Sequence, residues 1–182
     1  MTKTSQFAAA GFLLAAGACA PAAQETAAMP EAPHRAEILE TVDAFFLALG
    51  APDAEAMTEL LITGSMNVVS NPENDTPLQY NLAQDLLTEL EDPVFPKIRE
   101  RYWDPIVFQR GELAVVWTPY IIDVGDKFSH CGIDIFNLSR HEDGWKIDNT
   151  SYTREPSACE ALGYSKNMET RPDYSALDAK EH

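Results

Sequence analysis

His130 and Asp134 are the residues of this chain whose types and spacing can do chemistry. They lie in residues 128–153, F-S-H-C-G-I-D-I-F-N-L-S-R-H-E-D-G-W-K-I-D-N-T-S-Y-T, a stretch with the pattern of a β-hairpin around an Asp143-Gly144 turn signal. Side chains alternate between the faces of a strand, so His130, Gly132 and Asp134 share a side with Phe136 and Leu138. On the second strand Trp145 and Ile147 share a side with Asn149, Ser151 and Thr153. A two-residue loop at Glu142-Asp143 or Asp143-Gly144 pairs even positions of the first strand with odd positions of the second. Phe136, Leu138, Trp145 and Ile147 then form one apolar face, which another element must cover. A polar pair at the end of a covered apolar face is how many small-molecule pockets begin.

The chemistry expected there is proton transfer. A two-residue turn at Gly125-Asp126 places Trp117 beside Asp134, and Leu113 and Val115 beside Leu138 and Phe136. An indole next to a carboxyl strips its hydration and raises its pKa. Such a group acts as a general base or, when protonated, donates a hydrogen bond. The reaction class is transfer of a proton at a carbon next to a carbonyl, by isomerisation, dehydration or cyclisation. The Cα atoms of His130 and Asp134 are about 13 Å apart along one strand, so they address two points of a ligand rather than each other. Asp134 and His130 are thus the candidate catalytic residues, and Trp117, Phe136, Trp145 and Asn149 the candidate ligand contacts. The structural alternative has Asp134 accepting hydrogen bonds from backbone or from Asn149 and Ser151, and His130 anchoring the C-terminal segment near Cys159. Tyr120 and Tyr152 fall on the other side of the sheet; Asp43 lies on the first helix, either on its solvated face or pointing to the covered side. His34, His130, His141 and His182 show no metal-ligand spacing, so no metal is expected. Neither a phosphate-binding glycine loop nor a nucleophile elbow occurs, and no cofactor is expected.

The elements that must position these groups follow from periodicity. Ile38, Leu39, Val42, Phe45, Phe46 and Leu49 have helical spacing over 35–49, closed by Gly50. Pro52-Asp53 opens a second helix over 54–61, and Leu82, Leu86, Leu87 and Leu90 mark a third over 79–90. A brief strand is predicted at 67–69. After Pro96 the pattern turns to strands: an extended run over 98–109 bent at Pro105, a central strand over 113–123, then the hairpin. Three helices followed by a β-meander predict an α+β domain, with the helices against one side of a curved antiparallel sheet.

The ends are different. Lys3 and the apolar stretch 7–18 read as an export signal, too short to span a bilayer stably. Ala16-Gly17-Ala18-Cys19 resembles a bacterial lipobox, which implies cleavage before Cys19 and lipid on its sulfur. Ala16 and Ala18 also satisfy the Ala-x-Ala site of ordinary signal-peptidase cleavage. Residues 19–33 read as a flexible linker, 34–164 as one domain, and 165–182 as a polar tail, poorly ordered or loosely docked. The formal charge of −16, from 13 Lys+Arg against 29 Asp+Glu, argues against nucleic acid and anionic lipid surfaces as partners. With Cys19 lipidated, Cys131 and Cys159 remain. The hairpin register brings them near each other, so in an oxidising compartment they form a disulfide; otherwise one is a buried thiol and the other incidental.

The runs L-A-V-V-W-T-P-Y (113–120), H-C-G-x-D-x-F (130–136), G-W-K-I (144–147) and Tyr152-Thr153 resemble the nuclear transport factor 2-like superfamily, closest to bacterial exported members and SnoaL-like domains. The resemblance covers residues 35–159. It implies a cone, or cystatin-like roll: a bent sheet wrapped around a long N-terminal helix, with a pocket at one end. It also implies that the outer sheet face packs on a second copy, giving a homodimer. The superfamily includes ketosteroid isomerases, scytalone dehydratase, limonene-epoxide hydrolase, polyketide cyclases and many non-catalytic members, so fold alone does not assign function. The expectation is an exported, periplasmic lipoprotein that binds a small, largely apolar molecule. The alternatives are a cofactor-free isomerase, dehydratase or cyclase of the SnoaL or ketosteroid-isomerase type, and a non-catalytic dimeric interaction module.

Overall fold

The computed structural model describes residues 31–74 and 76–179. The leader read at 1–18 and the lipid site read at Cys19 lie outside them. Helix α1, Arg35–Gly50, buries Ile38, Leu39, Val42, Phe45, Phe46 and Leu49, the stripe read from the sequence. Helix α2, Ala54–Leu60, is capped by Asp53, whose Oδ1 accepts from Ala56 N at 2.9 Å. Helix α3, Ala83–Leu90, is shorter than its leucine spacing suggested, because Gln79–Leu82 instead forms an edge strand, β2.

The sheet has seven strands: β1 (Leu61–Ser70), β2, β3 (Ile98–Tyr102), β4 (Ile106–Arg110), β5 (Leu113–Val124), β6 (Lys127–His141) and β7 (Gly144–Thr153). Their order is β2-β1-β7-β6-β5-β3, with β4 also pairing β5. The sheet is curved and unclosed, with the helices on one side. Every pair is antiparallel except β1 with β7. No hairpin joins those two strands, so no tight turn dictates their direction. Strand β1 is also much longer than the brief strand expected. Strands β3 and β4 lie end to end along β5 and are separated where Pro105 breaks the ladder and Asp104 takes a positive φ of 43°.

Two one-residue bulges decide what faces the core. In β6, Ser129 is extra, because Ile122 pairs with His130 while Asp123 pairs with Phe128. In β7, Asp148 is extra, because Leu138 pairs with Ile147 while Asn137 pairs with Asn149. Each bulge shifts the register by one and exchanges the faces beyond it. Tyr120, Asp134, Phe136, Thr150 and Tyr152 therefore share the face that packs on α1. Edge-to-face contacts of Phe46 and Phe45 with Phe136, at 5.5 and 5.4 Å between ring centroids, fix the helix on the sheet.

A second cluster lies where the C-terminal segment crosses the chain: Trp103, Ile121 and Cys131 against Cys159, Leu162, Tyr164 and Met168. Cys131 and Cys159 are bonded. The tail is docked as far as it is described, contrary to the loose segment its composition suggested. Arg171 exchanges backbone hydrogen bonds with Tyr102 on the β3 edge, and its guanidinium pairs with Asp43. Buried Tyr174 donates its hydroxyl to the carbonyls of Phe46 and Glu100 at 3.0 and 2.9 Å. Tyr174 and Arg171 thus anchor an otherwise polar strap.

Candidate functional site

The helices and the concave face of the sheet enclose a cavity of about 710 Å³. Its apolar wall includes Phe45, Phe46, Phe95, Ile98, Ile122 and Phe136, and its outer end includes Asp85, Glu89 and Asp92. Six polar side chains from three strands and the β3 edge meet inside: Glu100, Tyr120, His130, Asp134, Thr150 and Tyr152.

Asp134 and Glu100 form the chemical centre. Asp134 is 5 % exposed and Glu100 is 8 % exposed. Glu100 lies opposite Ile122 on β5 and Asp134 opposite Thr118, so both project from neighbouring ladders into the same space. The two carboxyls are close enough that each shifts the other's protonation. Burial is the main cause of a raised pKa for each. Glu100 is pushed up to about 8. Asp134 is held well above the usual carboxylate range, and the neighbouring Glu100 charge raises it further. Carboxyls held this high keep a proton at neutral pH, so the pair presents a hydrogen-bond donor to the cavity. Asp134 Oδ2 is buried with no hydrogen-bond partner among the described residues.

The surrounding groups are fixed by backbone. Tyr120 donates its hydroxyl to Thr153 O at 2.8 Å, and burial, then the carboxyls of Asp134 and Glu100, raise its pKa far above the usual phenol value. That phenol is a neutral wall, not an acid catalyst. Its ring packs where Gly132 has no side chain: a Cβ there would lie 2.8 Å from Tyr120 Cε1 and collide with Thr153 O. His130 stacks edge-on to Tyr120 at 5.7 Å, and its Nδ1 is 2.8 Å from Ser129 Oγ. Burial, with Arg154 nearby, lowers its pKa to about 4, so it is a neutral imidazole at neutral pH. Arg154 is the one guanidinium or ammonium group of the lining among the described residues.

The structure thus brings Asp134, His130 and Phe136 into the cavity and leaves three expected contacts out of it. Trp117 is 43 % exposed on the outer face, opposite Ile135, because the Ser129 bulge shifts β5 by one residue. It does not desolvate Asp134; burial in the cone does. Asn149 is turned outward by the Asp148 bulge and is hydrogen-bonded to Asn137 at 2.6 Å. Trp145 is buried, but at the far end of the hairpin beside His34, outside the cavity lining. Conversely, Tyr120 and Tyr152, placed on the other face by the same slip, line the cavity. Glu100 was missed altogether. Its signal is alternation: Ile98, Glu100 and Tyr102 share one face, and an acid between two apolar residues on such a face is buried.

No known family profile matches the sequence, and no curated protein matches it. Solved structures do. A nuclear transport factor 2-like protein with a cystatin-like fold from Novosphingobium aromaticivorans superposes with a TM-score of 0.54 at 15 % identity, over 72 % of this chain and 89 % of that one. One from Cytophaga hutchinsonii gives 0.55 at 15 % identity, over 68 % and 99 %. The CaMKII hub of S. rosetta gives 0.52 at 22 % identity, over 69 % and 98 %. The helix-first order, the curved seven-stranded sheet and these superpositions together make this the nuclear transport factor 2-like fold.

Proposed function

We propose that this chain binds a small, uncharged, largely apolar molecule in its cavity, with one polar group of the ligand hydrogen-bonded to the Asp134–Glu100 pair. The observation that carries this reading is a carboxyl pair buried among aromatic side chains with Asp134 Oδ2 left unpartnered. A buried polar atom without a partner is costly, and a ligand that supplies one recovers that cost. The volume suits a small-molecule site. Asp85, Glu89 and Asp92 at the outer end oppose anions, with Arg154 alone against them. A cation would have to shed its hydration and displace a proton from the pair.

The test uses matched naphthalenes carrying a hydroxyl, a carboxylate or an ammonium group, and thermal unfolding of the full chain. The hydroxyl compound raises the melting point in a dose-dependent way, and Thr150→Trp, which fills the cavity, removes the effect. A larger shift from the carboxylate or the ammonium compound, or a shift that survives Thr150→Trp, overturns the reading.

A second reading is favoured by the same pair. A carboxyl pair that keeps its proton in an apolar cavity is the equipment of a cofactor-free isomerase, dehydratase or cyclase, with Asp134 and Glu100 moving the proton. Retained ligand binding with lost turnover in Asp134→Asn separates catalysis from binding. For location we propose export with a lipid on Cys19, supported by the sequence of the leader and by a Cys131–Cys159 disulfide, a bond that persists in oxidising compartments. For assembly we propose a homodimer through the outer sheet face, where Ile106, Phe108, Leu113 and Trp117 are exposed together on β4 and β5.

A further inference from the structure

The same cavity holds a second unpartnered polar atom. Asn67 on β1 lines it, and its Oδ1 is buried with no hydrogen-bond partner among the described residues. On the outer face, by contrast, Asn149 Oδ1 has a partner: Asn137 Nδ2 donates to it at 2.6 Å. Native proteins leave few such atoms without a partner, and one on a side chain that lines a cavity is a candidate to meet a ligand that reaches it.

The register fixes where Asn67 stands relative to the carboxyl pair. Asn67 lies opposite Thr150 on β7, Thr150 lies opposite Phe136 on β6, and Asp134 is two residues further along β6. Two strands across and two residues along place the Cα atoms of Asn67 and Asp134 roughly 12 Å apart on a flat sheet. A concave face brings the side-chain ends closer than that. The wall between them is apolar, with Phe136 on the sheet and Phe45 and Phe46 on the helix.

We propose that Asn67 is a second ligand-binding residue and that the ligand is two-headed. Its body is rigid and apolar, one end meets Asp134 Oδ2, and the other end carries a hydroxyl or N–H that donates to Asn67 Oδ1. The inference rests on the reading of the cavity given above and adds the chemistry of the ligand's far end. An amide oxygen accepts and does not donate, so an ether or a ketone at that end gains nothing from Asn67 Oδ1.

Calorimetric titration of the full chain with biphenyl carrying a hydroxyl at both para positions, at one, or at neither tests this. Wild type binds the two-hydroxyl compound about tenfold more tightly than the one-hydroxyl compound, the value of one hydrogen bond to a buried acceptor. Asn67→Leu abolishes that preference, so that the one- and two-hydroxyl compounds bind the variant equally. The monomethyl ether of the two-hydroxyl compound, which keeps the length and loses the donor, falls to the one-hydroxyl level in wild type. The ether comparison needs no variant, so it stands even where Asn67→Leu fails to fold. Equal binding of the one- and two-hydroxyl compounds by wild type overturns the role of Asn67 and leaves the cavity reading intact. Absence of binding by all three overturns both.

Discussion

Replacing Glu100 by glutamine must change how stability depends on pH. The folded chain holds the Glu100 proton up to about pH 8, against an ordinary value of 4.5, chiefly because the carboxyl is buried. Below pH 4.5 both folded and unfolded chains carry the proton, and the group is neutral in its effect. Between pH 4.5 and about 8 the folded chain keeps it and the unfolded chain loses it. The unfolded state then binds fewer protons, so stability falls as pH rises through this window. Each pH unit is worth about 1.4 kcal/mol, so the whole window is on the order of 5 kcal/mol. His130 works the other way. Its folded value of about 4 lies below its ordinary 6.5, so stability falls as pH drops through that interval. That contribution is common to wild type and variant and cancels in their difference. The amide of Glu100→Gln cannot titrate and can still donate to Asp134. Urea unfolding followed by tryptophan fluorescence at pH steps from about 5 to about 8 gives the difference directly. The variant is close to wild type at the acid end and becomes more stable than wild type by several kcal/mol at the basic end, on the order of 10–20 °C in Tm. A difference that stays constant across the range refutes the buried, protonated Glu100.

Three further outcomes test other parts of the structure. Gly132→Ala forces a methyl group into Tyr120 and the Thr153 carbonyl and destabilises by about 3 kcal/mol or more; chemical denaturation reads this, and a loss below about 1 kcal/mol contradicts the close approach. Removing the Cys131–Cys159 bond, which spans 28 residues, with the paired serine variant costs about 3–4 kcal/mol in the same assay. If the outer face pairs two copies, Trp117→Glu gives a monomer by sedimentation equilibrium where wild type gives a dimer; a monomeric wild type ends that proposal.

Much of the scaffold was legible because periodicity is a statement about burial. The stripe from Ile38 to Leu49 and the alternation through Phe136 and Leu138 each name the face that water avoids, and both are buried as read. Asp134 and His130 reached the cavity by the same alternation. What failed, failed at single residues. Ser129 and Asp148 carry no mark that distinguishes a bulge from an ordinary strand position, yet each inverts everything beyond it. That is why alternation alone turns Trp117 and Asn149 inward and Tyr120 and Tyr152 outward. The carboxyl pair required pairing β3 with β5 across the sheet, a long-range contact that no local pattern encodes, although the alternation around Glu100 pointed inward. Asn67 was hidden in a strand whose polar residues and Gly64 gave it only a short β signal. The C-terminal strap was hidden by its polar composition, since its order depends on Tyr174 and Arg171 meeting groups more than a hundred residues earlier in the chain.

The most direct measurement is a crystal structure of the full chain grown with the tightest-binding uncharged biphenyl. The ligand is expected inside the cone, its rings against Phe45, Phe46 and Phe136 and a hydroxyl within hydrogen-bond distance of Asp134 Oδ2. A ligand bound on the outer sheet face, or inside the cone with both hydroxyls away from Asp134 and Glu100, contradicts it.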